Sequence, residues 1–354
     1  MPGLQAKALP IGEAPLAWIM LNSRMQMRDI GSSGLRASII GLGTWAIGGD
    51  GWGGNEEKDV IAAIQASLDA GVNLIDTAPI YGFGLSEELV ARAIAGRRDE
   101  VILATKCGLI WNQSEGDFFF PSPHGPVHRY LGKASIQREV EASLRRLKTD
   151  RLDLYQTHWQ ETTTPIAETM EALLSLKDQG KIRAIGVSNV DHRQLGQYVA
   201  AGLVASVQEL YSMVDREKEA EILPYCQQHQ LAFLAYSPLA MGLLSGKMKS
   251  GQKFAEGDMR NTSKRFAPEV VAEVNTFLAE IEPVAQQHQV TLAQLVIQWT
   301  LHQPGVSHVL CGARHVGQAR ENAEAGKSTL SSSDIAFIND RLKAHALQVP
   351  KAFS

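Results

Sequence analysis

From about residue 37 to residue 325 the chain repeats one plan, a short apolar run followed by an amphipathic segment. The runs are Ser38-Ile-Ile-Gly-Leu42, Asn73-Leu-Ile75, Val101-Ile-Leu-Ala104, Leu152-Asp-Leu-Tyr155, Ile182-Arg-Ala-Ile-Gly-Val187, Ser206-Val-Gln208, Ala232-Phe-Leu-Ala235 and His308-Val-Leu-Cys311. Runs this short and this apolar read as strands buried on both faces, the habit of parallel sheets. Helical patterns lie between and after them, near 56–70, 86–95, 135–148, 166–179, 191–200, 216–229, 269–302 and 315–325. Eight strands each followed by a helix predict an α/β fold of the closed (β/α)8, or TIM-barrel, type. The doubly wound alternative needs a glycine-rich turn that opens directly into a helix. Gly41-Leu-Gly-Thr-Trp-Ala-Ile-Gly-Gly49 is rich in glycine but opens none.

Local signals support this register. Ser135-Ile-Gln-Arg-Glu139 reads as a helix start with a capping serine. Thr164-Pro165 places proline at a first helical position, with Glu168 in the first turn. Two interruptions, 107–134 and 245–268, are too long for ordinary connections. In a barrel, long loops that follow strands lie over the active mouth, so both are candidate covers for long βα loops at the C-terminal face.

Composition narrows the function class. At 354 residues with 44% hydrophobic content, one large barrel is within reach. A net charge of −4 without basic clusters argues against nucleic acid as partner. No stretch approaches the roughly 20 apolar residues that span a bilayer, so no membrane partner is expected. Three cysteines without metal-finger spacing suit a reducing, cytoplasmic setting. Residues 1–26 lack the basic and apolar halves of a signal peptide. They read either as a poorly ordered extension or as the product of an upstream start codon, ahead of one domain over 27–354.

The candidate chemistry sits just past the apolar runs. Asp76 closes one, with Tyr81 five residues on; Lys106 closes the next; His158 closes a third. Polar residues at the carboxyl ends of barrel strands face one mouth. A free phenol, with a pKa of about 10, is a reluctant acid near neutrality. A neighbouring ammonium favours the phenolate and makes the phenol a better acid, and an aspartate holds that ammonium charged. A histidine beside them can donate a hydrogen bond to a carbonyl oxygen. Such a group polarises C=O but supplies no hydride, so a cofactor is implied.

The order Gly41-Leu-Gly-Thr-Trp45, Asp76-Thr-Ala-x-x-Tyr81-Gly, Thr105-Lys106, His158-Trp159, Ile185-Gly-Val-Ser-Asn189 and Tyr236-Ser-Pro-Leu239 resembles the aldo-keto reductase superfamily. Gly242-Leu-Leu-Ser-Gly-Lys247, Phe254-x-x-x-Asp258-x-Arg260 and Gly312-Ala-Arg314 resemble a bacterial branch of methylglyoxal, glycerol/glyceraldehyde and inositol-linked reductases. The resemblance implies a nicotinamide cofactor, no metal, the tetrad Asp76, Tyr81, Lys106 and His158, and a small carbonyl or alcohol substrate. It implies a substrate pocket of Trp45, Tyr81, His158 and Trp159, and Thr44 and Trp45 beside the cofactor along with Asp76. Ser188, Asn189 and Gln208 would hold the carboxamide, and Tyr236 would stack on the ring. Ser237, Pro238, Leu239, Gly242, Ser245 and Lys247 would line the diphosphate; Gly312, Ala313, Arg314, Gln318, Glu321 and Asn322 would form the adenosine end. Gly312-Ala313 and Gln318 depart from the Lys-Ser pair and arginine common in the superfamily. Arg314 is then the main ligand for a 2′-phosphate, with NADP(H) preferred and NAD(H) possible.

Other readings compete. Lys106 could be the nucleophile of a Schiff-base lyase, but that chemistry needs a neutral amine and Asp76 opposes it. A cofactor-sensing regulatory subunit on the same barrel would not need a complete tetrad. The physiological form is expected to be a monomer or weak homo-oligomer. Cys107 should point away from the mouth by strand alternation, Glu161 reads as solvated rim or as a contact for a polar substrate, and Phe118–Phe120 serve either core or pocket wall. His124 and His128 lack further ligands at metal spacing.

Overall fold

The structure is a computed structural model that describes residues 24–111 and 113–352. Eight strands close into an all-parallel barrel: β3 (Ile40–Gly43), β4 (Leu74–Asp76), β5 (Ile102–Cys107), β9 (Leu152–Thr157), β10 (Ile182–Ser188), β11 (Ser206–Leu210), β12 (Ala232–Tyr236) and β13 (Val306–Gly312), with β13 returning to β3. The barrel interior is filled by Leu74, Ala104, Leu154, Ala184, Leu234 and Leu310. The intervening residues Ile75, Leu103, Tyr155, Phe233 and Val309 belong instead to the apolar layer between strands and helices.

That alternation positions the site. Side chains two apart on a strand share a face. Leu74 points inward, and so does Asp76; Ala104 carries Lys106 with it, and Leu154 carries Gln156. Cys107 falls on the outer face and is buried there among apolar neighbours, as expected. Burial, with the nearby Glu139 carboxylate, pushes its thiol well up, so it stays protonated.

The other end of the barrel is plugged by a hairpin, β1 (Met27–Asp29) and β2 (Arg36–Ser38), which adds Ile30 and Leu35 to the inner cluster. Its turn needs glycine at position 31, where φ is +52° and a Cβ would lie 2.3 Å from the Ala205 carbonyl oxygen. The expected extension over 1–26 lies outside the described residues except for its last three. Of those, Gln26 donates its backbone N–H to the Gly326 carbonyl at 3.2 Å.

Helices α1 (Glu57–Asp69), α2 (Leu85–Ala93), α3 (Lys133–Leu147), α4 (Ile166–Asp178), α5 (His192–Ala201) and α6 (Ile222–Gln228) follow the strands in turn. Two local expectations shift. Helix α3 begins at Lys133, so Ser135 lies inside the first turn and donates to the Glu139 carboxylate at 3.0 Å instead of capping the helix. Pro165 occupies the cap position of α4 and Ile166 is its first residue. The pattern over 269–302 is two helices, α7 (Pro268–Gln287) and α8 (Leu292–Leu301), because Thr291 caps a new start through a reciprocal bond with Gln294. Helices α9 (Val316–Glu324) and α10 (Ser332–His345) complete the chain. Among the described residues no helix is long and apolar enough to cross a membrane.

Both long interruptions border the mouth. The first folds as a three-stranded antiparallel sheet of β6 (Leu109–Ile110), β7 (Asp117–Phe120) and β8 (Val127–Arg129). The second, between β12 and α7, is a chain of short 3-10 turns.

Candidate active site

Lys106 is fully buried at the mouth of the barrel, and its Nζ donates to Asp76 Oδ2 at 2.6 Å and to the Thr77 carbonyl at 3.0 Å. The Tyr81 hydroxyl lies 3.4 Å from the same nitrogen. The other Asp76 oxygen accepts from Gln208 at 2.8 Å and Gln156 at 3.0 Å. His158 stands edge-on to Tyr81, ring centroids 5.7 Å apart. The four residues read from the strand ends therefore do converge. Gln156 is a partner that the sequence reading missed, although its place two residues before His158 points it inward.

Burial pushes the Tyr81 phenol well above its ordinary range, and the Asp76 charge pushes the same way. The acidifying effect expected of Lys106 is outweighed, so Tyr81 rests as a phenol with a proton to give. Burial lowers the Lys106 pKa, with Asp76 opposing. Burial, then the Lys106 charge, holds His158 well below its usual range. His158 is neutral, with one ring N–H to donate. Lys106, buried and tied to Asp76, Thr77 and Tyr81, is poorly placed to attack a carbonyl, which weighs against Schiff-base chemistry.

Tyr81 is held by backbone fit. A Cβ on Gly48 would meet the Tyr81 carbonyl carbon at 2.5 Å, and one on Gly82 (φ +63°) would meet the Gly48 carbonyl oxygen at 2.4 Å. Only glycine lets these two loops touch. Beneath them Thr44 donates through its backbone N–H and its hydroxyl to the Asp76 carbonyl, at 2.9 and 3.0 Å.

A cavity of about 660 Å³ opens from this group toward β12 and β13. Thr44, Trp45, Asp76, Tyr81, His158, Trp159, Asn189, Gln208, Tyr236, Ser237, Pro238, Leu239, Gly242, Ser245, Lys247, Gly312, Arg314, Gln318, Glu321 and Asn322 all line it. Ser188 and Ala313 do not reach its wall. Ser188 instead supports Asn189, whose Nδ2 donates to Ser188 Oγ at 3.0 Å while its Oδ1 accepts from the Tyr236 hydroxyl at 2.9 Å.

The wall suits a long dinucleotide. A Cβ on Gly43, Gly242 or Gly312 would have no heavy atom closer than 3.7 Å, so backbone there faces open cleft. The turn beside Gly242 carries positive φ at Ser237, Ala240 and Met241, strain of the kind kept at ligand sites. Arg260 lies over it, donating from Nη1 to the Met241 carbonyl at 3.3 Å and forking onto Asp258. Burial, then the like charge of Arg260, lowers the Arg314 pKa. An anionic ligand at this end would relieve that stress. Arg314 also donates to the Trp52 carbonyl at 2.9 Å. Lys247 is paired with Glu321 at 2.6 Å.

Arg260, Trp52 and the two phenylalanines Phe119 and Phe120 are further wall residues. The Phe254-x-x-x-Asp258-x-Arg260 motif was visible in the sequence, but no role came with it. Glu161 is a structural clasp: its carboxylate accepts from Leu131 N at 3.2 Å and Thr164 N at 3.1 Å.

Such a barrel, with this group at its mouth and a dinucleotide-sized cleft beside it, defines an oxidoreductase scaffold, and comparison with known proteins makes that specific. The chain belongs to the aldo/keto reductase family, whose model matches residues 39–343. It is 42% identical over 322 residues to the aldo-keto reductase YhdN of Bacillus subtilis, covering 90% of this chain and 94% of that one. It is 37% identical over 326 residues to the NADH-specific methylglyoxal reductase of Escherichia coli, covering 90% and 99%. An aldo-keto reductase from Klebsiella pneumoniae, solved in complex with NADPH, superimposes with a TM-score of 0.68 at 30% identity, covering 93% of this chain and 98% of that one.

Proposed function

We propose that the protein is a carbonyl reductase in which Tyr81 gives the proton and a reduced nicotinamide dinucleotide, NADP(H) in preference to NAD(H), is the co-substrate. The observation that carries this reading is the convergence of Tyr81 with the Lys106–Asp76 pair at one end of a cleft whose other end holds Arg260 and Arg314. When bound, the nicotinamide supplies a hydride to the carbonyl carbon.

The chain's own residues do the rest. Tyr81, held protonated by burial, donates its proton to the carbonyl oxygen as charge develops there. Lys106 sits behind the phenol and stabilises the negative charge left on it, while Asp76, Gln156 and Gln208 fix the lysine's partner. Neutral His158 orients the substrate oxygen by donating a hydrogen bond. Asn189 and Gln208 would hold the carboxamide, the Tyr236 ring would pack on the nicotinamide, and the turn at Ser237–Gly242 with Arg260 would face the diphosphate.

Cofactor choice rests on Arg314. Gly312, Ala313 and Gln318 bring no charge, and one relative is named for NADH while a structural neighbour holds NADPH. One guanidinium therefore sets a modest preference. The three buried free thiols suit work in the cytoplasm on small molecules. Loss of NADPH or NADH absorbance with a panel of aldehydes, α-oxoaldehydes, sugars and cyclic ketones tests the reading. Turnover with at least one class, faster with NADPH, is expected; no turnover with either cofactor contradicts it.

A further inference from the structure

Asn189 joins three strand ends at the mouth. Its Nδ2 donates to the His158 carbonyl at 2.8 Å and to Ser188 Oγ at 3.0 Å, and its Oδ1 accepts from the Tyr236 hydroxyl. Its backbone is left-handed, with φ at +54°, a conformation that asparagine tolerates better than most residues but does not prefer. Gln208, beside it on the cavity wall, donates from Nε2 to Asp76 Oδ1 and to Gln156 Oε1. Both side-chain amides therefore have their N–H groups engaged within the protein, and what they offer the cavity is oxygen. Acceptors of this kind match the NH2 of a carboxamide.

What keeps Asn189 in that pose lies behind the wall. The next residue is gripped on both sides: the Val190 N–H donates to Glu209 Oε1 at 2.8 Å, and the Val190 carbonyl accepts from Lys218 Nζ at 3.3 Å. Lys218, on the 3-10 turn Glu217–Glu219, is itself paired with Glu209 at 2.8 Å. Strand alternation points Glu209 away from the cavity that Gln208 faces, and it is 1% exposed. A carboxylate is costly to bury, and a carbonyl or a water can satisfy one backbone N–H. The charge here gives a short, charge-assisted bond at the peptide that sets where Asn189 points.

We propose that Glu209, with Lys218, is a positioning residue for the nicotinamide end of the cleft. Acting through Val190, it holds Asn189 left-handed so that the amide oxygens of Asn189 and Gln208 read the carboxamide NH2. The proposal rests on the carbonyl-reductase reading. The probe is a pair of dinucleotides, NADP+ and its 3-acetylpyridine analogue, in which a methyl group replaces that NH2. Calorimetric titration gives both dissociation constants without turnover. The wild type should bind NADP+ roughly tenfold more tightly than the analogue, the loss expected when buried acceptors go unmet. Glu209→Ala should weaken NADP+ and leave the analogue nearly unchanged, narrowing the ratio to about threefold or less. Glu209→Gln, which keeps an acceptor for the Val190 N–H, should restore most of the ratio. Lys218→Met, at a partly exposed turn position, should narrow it less, to about fivefold, and decides the matter should Glu209→Ala not fold.

A ratio in Glu209→Ala equal to that of the wild type overturns the proposal, even where the melting temperature falls, because Glu209 then serves the fold alone. The same holds for an unchanged ratio in Lys218→Met where that variant decides. Equal binding of the two dinucleotides by the wild type also overturns it, since no acceptor then reads the NH2. Binding of neither dinucleotide to the wild type is the separate failure of the reductase reading, and the proposal falls with it.

Discussion

At the end of the cleft built by β4, β5 and β9, the Lys106–Asp76 pair is nearly sealed from water, with side chains 0% and 5% exposed. At the far end Lys247 pairs with Glu321 while 63% exposed, and Arg314 reaches a loop carbonyl. The first end is carried on or next to strand termini; the second hangs on turns after β12 and β13. The contrast separates two demands. Proton transfer needs groups fixed to a few tenths of an ångström and a low local dielectric that magnifies their mutual effects. Cofactor affinity needs charge of the right sign within reach, which cations carried on turns supply.

The largest expected effect breaks the sealed end. Lys106→Met should reduce turnover by roughly 10²-fold or more, and should also destabilise the fold, because Asp76 is left as an unpaired buried charge, a loss of about 3–5 kcal/mol. The double variant Asp76→Asn/Lys106→Met should recover most of the thermal stability and none of the turnover. Recovery of both would mean that the pair is a packing feature rather than part of the chemistry.

A smaller effect is expected at the open end. Arg314→Ala should weaken NADPH binding roughly tenfold to a hundredfold, the contribution of a charged hydrogen bond to phosphate, and NADH binding far less. Side-by-side dissociation constants check this. Equal losses for the two cofactors would assign Arg314 to holding the Trp52 loop alone.

The smallest expected effect is an absence of change with pH. His158 has its pKa depressed by burial and by Lys106, so it remains neutral through the range near 6.5 where a free imidazole takes up a proton. Its protonation comes only at lower pH. Reductive kcat should therefore run flat through that range on the acid side, and should fall on the alkaline side only above the ordinary phenol range, because the Tyr81 pKa is raised. An inflection near 6.5 that vanishes in His158→Gln would place a solvated imidazole at the site.

The same contrast marks what could be read from the sequence. Leu74–Asp76, Ala104–Lys106 and Leu154–Gln156 are period-2 patterns ending in a polar residue, so strand alternation alone put those side chains at the mouth. The closed barrel followed from the same runs. Arg260 and Trp52 come together through loop contacts, the guanidinium 5.1 Å from the Trp52 ring, and no periodicity encodes that approach. Phe119 and Phe120 face the cavity together only because of a register shift in β7. The break between α7 and α8 was marked by Thr291 and Gln294, but the apolar period on either side conceals it. The expected acidification of Tyr81 failed for a related reason: sequence names the neighbours, while burial sets which of their effects prevails.

The most direct test of the central claim is Tyr81→Phe. This change removes one hydroxyl from the sealed end and leaves the cations of the open end in place. Turnover should fall roughly 10²- to 10⁴-fold, the range of general acid catalysis, while NADPH affinity stays near that of the wild type. A variant that keeps more than half of its turnover, or that loses cofactor binding in proportion to activity, would contradict Tyr81 as the proton donor.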